Sequence, residues 1–461
     1  MTMIPANIQR FLDRQHAQYR VLKHPPTGTL HDAAGVCGIP ERQLIRSVLL
    51  SDRSGLILAI LPHHHIIDFD ALCKLLERQL EPVPAEQLTR VFRDCDPQCC
   101  PPLPGAYGLE AIVDSRIFRG RDVYLEPGSQ SELLGLDGDE YRRLLKTTRS
   151  GCFSCPVSDL RGDYPATSLR STFKKFTPRQ IKQRVDSFHD LPALPGSATG
   201  ILELASDPRA GARELAAVIE RDAPLAARVM RYANSPLYGY PGKIRDLQSA
   251  IARVLGFDFV LNLALGITVG KSLRIPAEGP LGLDAFWRHS VYCAALVERL
   301  ARTIPGKLQV RHGTAYLAGL LHNMGILLLG QAFQCDFFLL NRYLTANPEV
   351  PVRHVEKHWL GVSHDQIGGW LLESWGLPEE LVTAARHHHD ESYWGDHAVY
   401  SQLVLIANCL LESRGLGFGE MTDLPAFSLE MLALDEAIAR ALVDELLAGQ
   451  RELDNLARLV A

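Results

Sequence analysis

No stretch of this 461-residue chain reaches the run of about eighteen apolar residues that a bilayer-crossing helix needs; the most apolar segments, such as Val260–Val269, are too short. The N-terminus lacks a basic segment followed by an apolar core, so no export signal is expected. Charge of one sign is not in excess either. Forty-eight Lys and Arg stand against 53 Asp and Glu, a net charge of −5, which excludes the strongly basic footprint of a general nucleic-acid binder. With 46% apolar and 22% charged residues, the chain is neither disordered nor fibrous, and its length suffices for two or three domains. The expectation is a cytoplasmic globular protein with no membrane partner. Without an export signal its ten cysteines read as reduced thiols, Cys293 and Cys409 serving as small hydrophobes in apolar helical runs.

What is present changes in texture along the chain. From Ile8 to Leu145, β-like runs such as Ser47–Leu50 and Leu56–Leu61 alternate with amphipathic helical segments such as Phe69–Gln79, an α+β pattern. Beyond Asp186 nearly everything reads as helix. Asp222 with Pro224 behind it, Asp284, and Pro378 followed by Glu379 and Glu380 mark helix starts. The fold class is therefore multidomain, with an α+β domain at 1–155, a basic linker at 156–180, an all-α domain at 181–413 (front half 181–275, back half 276–413) and a helical extension at 414–461. Arg161–Arg184 carries seven basic residues against one Asp, which reads as a solvated linker or a patch for RNA, DNA or an acidic surface. The leucine repeat of 427–461 would cap the helical bundle or form a homodimer contact.

The residues 315–325 place His322 and Asn323 inside an otherwise apolar helical run, where buried polar side chains need partners. His289, His364, His388, His389 and Asn408 stand at plausible partner positions, and imidazoles suit zinc, iron, nickel or manganese. This order of residues resembles the HD metallophosphohydrolase superfamily, and more narrowly its regulatory branch, the HDOD domain. Leu191–Pro195, Glu214–Leu225, Tyr232–Pro236, Ala250–Gly256 and Trp375–Glu380 carry the same resemblance. The resemblance implies a His-Asp doublet and a final Asp holding metal, and here both positions are Asn. Two negative charges are gone, which implies a degenerate site that retains a divalent metal at most through His289, His322, His364, His388 and His389.

Tyr19–Pro26, Thr29–Ala34, Leu44–Leu50 and Ile112–Ile117 resemble the YbaK family, the aminoacyl-tRNA deacylase or prolyl-tRNA-editing domain. The resemblance implies a functional lysine where Arg46 stands, and a glycine-rich loop where Arg93–Gly105 is rich in Cys and Pro. Arginine is a poor copy of a compact ammonium, and proline supplies no N–H. Cys95, Cys99 and Cys100, with Cys152-Phe-Ser-Cys155, are a candidate zinc cluster if the fold brings them together. His63-His64-His65 reads as a polar turn after Pro62.

With both sites altered, the expected function is a non-catalytic bacterial signal-transduction protein, a pseudoenzyme that binds a protein partner or small signalling ligand. Two readings compete with it: a metal-dependent phosphohydrolase using the histidine cluster, and an editing deacylase acting on tRNA through the N-terminal domain.

Overall fold

The computed structural model describes residues 4–27, 29–97, 99–119, 122–160, 196–207, 209–235, 242, 244–270, 273, 275–348, 350–418 and 423–460. The basic stretch 161–184, most of the 156–180 linker and the run 191–195 lie outside the described residues. Contacts divide the chain into two units: Met1–Thr172 with Arg342–Val350, and Phe173–Asn341 with Pro351–Ala461.

The strands of the first unit are β1 (Arg20–Lys23), β2 (Ile45–Asp52), β3 (Gly55–Pro62), β4 (His65–Ile67), β5 (Glu81–Pro82), β6 (Glu110–Asp114), β7 (Asp122–Leu125), β8 (Glu132–Asp137), β9 (Arg149–Gly151) and β10 (Ser154–Pro156). Its helices are α1 (Ala6–Arg14), α2 (Leu30–Cys37), α3 (Phe69–Leu76), α4 (Ala85–Val91) and α5 (Gly138–Leu144). Five strands form a sheet in the order β5-β2-β3-β6-β9, in which β2 and β3 are an antiparallel hairpin and β6 and β9 run parallel to their neighbours. β1-β8-β7 is antiparallel, and β4 pairs with β10. Ile57 to Leu61 have no exposed surface, as expected of a central strand covered on both faces. This is the α+β domain that the alternating runs predict.

Local chemistry sets the element ends. Thr29 caps α2 by accepting from the Asp32 N–H, and Asp68 caps α3 by accepting from Ala71. The helix expected over 69–79 stops at Leu76, where Glu77 turns left-handed with φ 56°. The three histidines are not one polar turn. His63 and His64 lie in the turn, but His65 opens β4 and is buried.

The second unit is helical: α6 (Gly196–Ser206), α7 (Ala212–Glu220), α8 (Ala223–Ala233), α9 (Leu247–Ala250) with a π turn at Ile251–Leu255, α10 (Phe257–Gly270), α11 (Leu283–Thr303), α12 (His312–Leu321), α13 (Met324–Ala332), α14 (Gln334–Ala346), α15 (Val352–Leu360), α16 (His364–Ser374), α17 (Glu379–His387), α18 (Ala398–Glu412), α19 (Ala426–Leu432), α20 (Glu436–Ala448) and α21 (Gln450–Val460). The last residues of α14 belong with the first unit. Asp222 caps α8 through the Leu225 N–H, and Glu379 and Glu380 occupy the first turn of α17, as their positions suggest. The C-terminal repeat covers the bundle: Asp454 Oδ1 accepts from Tyr292 Oη at 2.8 Å and from Arg288 Nε at 2.9 Å.

One expectation needs correcting. The apolar run through His322-Asn323 is not a continuous helix; α12 ends at Leu321, and Asn323 begins α13 as its N-cap. The combined stretch His312–Ala332 is apolar and long enough to cross a membrane, and its residues 313–330 are buried in the core of the unit.

Candidate metal centre

Helix ends, rather than helix faces, bring the histidines together. His322 follows α12, His364 is the first residue of α16, and His388 and His389 follow α17, while His289 and Asn408 project from α11 and α18. Close backbone approach makes this convergence available. A Cβ on Gly325 of α13 would fall 2.0 Å from the His364 carbonyl oxygen and 2.7 Å from Gly368 N, and one on Gly319 would meet the α11 backbone at Ala294. Ring centroids lie 5.5 Å apart for His289–His322, 4.8 Å for His322–His388, 5.5 Å for His364–His388 and 5.0 Å for His364–His389.

Each of four rings is held through Nδ1. His289 donates to Leu416 O at 3.1 Å, His322 to Gly319 O at 2.8 Å, His388 to Ala385 O at 2.8 Å and His364 to Glu356 Oε2 at 2.7 Å. A carbonyl or carboxylate can only accept, so each Nδ1 carries the proton and, in a neutral ring, Nε2 keeps its lone pair. Burial pushes His289 down to about 4 and His388 to about 3, and holds His322 and His389 well below the ordinary imidazole range. At neutral pH His289, His322, His388 and His389 are uncharged, the form a metal requires.

Among the described residues, two groups have ligand atoms within 4.8 Å of one another: His289, Cys293 and His322, and His364, His388 and His389. They differ in their donors, two imidazoles and a buried thiol against three imidazoles. Asn408 Nδ2 lies 3.4 Å from His322 Nε2, and Cys293 Sγ donates to Asn408 Oδ1 at 3.4 Å, so amide and thiol already engage the first group. In the second, His364 Nε2 and His389 Nε2 are 3.0 Å apart, and His388 Nε2 is buried with no hydrogen-bond partner among the described residues, as is His289 Nε2 in the first. Asn323 Oδ1 is likewise buried and without a partner among them. Orphaned buried acceptors beside clustered imidazoles fit a divalent cation, which the second group would hold.

The surrounding cavity is about 10 Å³ and is lined by His289, Asn323, His364, His389, Asn408, Glu412, Gly417 and Phe418. Phe418 lies over His289 with centroids 4.8 Å apart, and its carbonyl accepts from Val352 N at 3.3 Å. That space admits about one water-sized species and no phosphoester. Sequence reasoning singled out the histidines and asparagines but missed Cys293, Glu356, Glu412 and Phe418. Cys293 had a legible signal, since it stands one helical turn from His289 on the same face.

The cysteine cluster is a correction. Among the described residues, Cys95, Cys99, Cys100, Cys152 and Cys155 form no group of converging ligand atoms. Cys95 Sγ meets Tyr107 Oη at 3.1 Å, Cys99 donates to Glu126 Oε1 at 2.8 Å, and Cys155 is buried in β10 while Cys152 is exposed. Burial pushes Cys95 up to about 11 and Cys100 to about 12, so these are protonated thiols.

Arg46 on β2 is engaged within its own unit. It donates to Ala346 O and His65 O, each at 2.9 Å, and to Asn347 Oδ1. The loop in place of the glycine-rich one is packed rather than open: Pro101, Pro102, Leu103 and Pro104 are buried, Tyr141 Oη donates to Pro102 O at 2.7 Å, and Ser47 Oγ to Cys100 O at 2.6 Å. Three prolines there offer no backbone donor to a ligand. Arg46→Ala is therefore expected to cost stability, about 1–3 kcal/mol from the buried acceptors left unpaired. Urea unfolding checks this, and an unchanged midpoint would show that the guanidinium contributes nothing there.

Comparison with known proteins agrees with this division. The aminoacyl-tRNA editing domain family matches residues 24–144, and the HDOD domain family residues 191–391. The solved structure of a candidate signal transduction protein from Marinobacter aquaeolei VT8 is 29% identical, covers 99% of both chains and superposes with a TM-score of 0.80. An HDOD domain protein of unknown function from Geobacter sulfurreducens is 23% identical over 59% of this chain and 93% of its own, with a TM-score of 0.49. An uncharacterized protein of Treponema pallidum (strain Nichols) is 23% identical over 257 residues, 56% of this chain. The chain spans 47% of that curated relative's length. The chain thus has two parts, an N-terminal region that matches the aminoacyl-tRNA editing domain and a C-terminal region that matches the HDOD domain.

Proposed function

We propose that this chain is a regulatory signal-transduction protein whose HDOD domain holds a divalent ion without turning over substrate, and which acts by binding a protein partner or small ligand. The small cavity of about 10 Å³ carries this reading, because an ion fits it and a phosphoester does not. The chemistry of the donors agrees. A bound ion would supply Lewis acidity, but hydrolysis also needs an oriented water and an opening for substrate. Neutral Asn323 and Asn408 stand where a carboxylate would hold such a water. The full-length likeness to a candidate signal transduction protein lends support. The editing-type region would serve as a recognition module, since Arg46 is taken up by the carbonyl of Ala346 and the carboxamide of Asn347.

The test is hydrolysis of bis(p-nitrophenyl) phosphate and cyclic dinucleotides by metal-reconstituted wild type, set beside an Asn323→Asp, Asn408→Asp variant. No turnover by wild type is expected. Turnover that His364→Ala abolishes would overturn the proposal in favour of a phosphohydrolase.

A further inference from the structure

The histidine site has lost two carboxylates at 323 and 408, yet a buried carboxylate stands directly behind it. Glu356, on α15, has no exposed surface. Its Oε2 accepts from both His364 Nδ1 at 2.7 Å and His364 backbone N at 2.9 Å. That backbone N–H opens α16, so the carboxylate also sits at the positive end of an eleven-residue helix. Its other oxygen, Oε1, is buried and has no hydrogen-bond partner among the described residues. The nearby arginine is committed elsewhere: Arg353 donates to Asp365 Oδ2 at 3.2 Å. A buried carboxylate with one oxygen unpartnered is costly unless a positive charge lies close. The ring it grips points its opposite nitrogen, Nε2, at His389 Nε2 and into the group formed with His388.

We propose that Glu356 is the positioning residue of this site, returning through the His364 ring the negative charge that Asn323 and Asn408 no longer supply to a bound divalent cation. The inference rests on the ion-holding reading above. Its physical content is threefold. The Nδ1–H···carboxylate bond fixes the His364 tautomer so that Nε2 is the ligand atom, locks the ring plane by a second bond to the same oxygen from the backbone, and makes Nε2 a stronger donor to the ion. Because the site's other anchored rings, His289, His322 and His388, lean on neutral carbonyls, Glu356 is the one carboxylate among the Nδ1 acceptors described.

The experiment compares cobalt(II) binding by full-length wild type, Glu356→Gln and Glu356→Asp, read from the visible ligand-field spectrum and from competition with a chromophoric chelator. Gln retains an acceptor but not the charge; Asp retains the charge on a shorter arm. Glu356→Gln is expected to bind cobalt about 10–100-fold more weakly with an altered spectrum, and Glu356→Asp to recover much of the affinity. Thermal unfolding of the metal-free proteins separates this from misfolding, since a merely structural Glu356 would lower the melting temperature of both variants without distinguishing them in affinity. Wild-type affinity in Glu356→Gln, or equal loss in Gln and Asp, overturns the role of Glu356 while leaving the ion in place. A wild type that binds no cobalt, zinc, nickel or manganese overturns the ion-holding reading itself.

Discussion

Replacing His364 and His388 together with alanine is expected to take tag-free protein from roughly one divalent ion per chain to nearly none, whereas His289→Ala with His322→Ala leaves most of the ion bound. The asymmetry follows from what already occupies each group. Asn408 Nδ2 meets His322 Nε2 while Asn408 Oδ1 accepts from Cys293 Sγ, so losing the His322 ring frees an amide rather than an ion. The group formed by His364, His388 and His389 offers three imidazoles, whereas the other offers two imidazoles and a thiol that burial keeps protonated. Mass spectrometry of metal content on both double variants, with circular dichroism to confirm the fold, decides the matter. Ion retained after loss of His364 and His388 would show that the pair is structural.

Acid is expected to destabilise the metal-free second unit well above the pH at which ordinary carboxylates titrate. His289 and His388 remain neutral in the native state down to about 4 and about 3, and burial also keeps His322 and His389 uncharged. Imidazoles in an unfolded chain titrate near 6.5. Below that pH the unfolded chain takes up protons that the native site refuses, so stability is complete above about 6.5 and is lost as pH falls towards the native values. Each such ring contributes a slope of up to about 1.4 kcal/mol per pH unit within the window. Thermal melts in chelator should show the midpoint falling continuously from pH 6.5 to 4.5. A midpoint flat between pH 7 and 5 would mean that these rings are solvated in the native protein.

The division into an α+β domain and a helical one is legible from periodicity, and so is the chemistry of helix starts at Asp222 and Pro378, because each depends on residues close in sequence. The convergence of His289, His322, His364, His388 and His389 was readable only through their resemblance to a known order of residues. What escaped the sequence depends on contacts between distant segments. Nothing local marks Phe418 as a seal over His289, or Glu356 as the partner of a ring eight residues on across the α15–α16 turn. The break at His322-Asn323 was hidden by the apolar residues on either side, which give a helical pattern that continues through it. The cysteines misled for the opposite reason. Their spacing suggests a cluster, but pairing of β10 with β4 sends Cys155 into a strand while Cys95 to Cys100 pack in a separate loop.

The nine residues Arg342–Val350 belong with a unit whose remaining residues end at Thr172. Arg342 stacks over the Phe69 ring at 4.1 Å and pairs with Glu81 at 3.2 Å, Tyr343 meets Phe69 edge-on at 5.3 Å, and Asn347 is buried against Arg46. During synthesis the ribosome delivers these residues some 170 positions after the rest of the unit has emerged, so for that interval the N-terminal unit waits with Phe69 and Arg46 uncovered. Folding of this chain is thus not strictly vectorial. A ribosome stalled, or a gene cut, anywhere between the two stretches would release a unit lacking its own final piece.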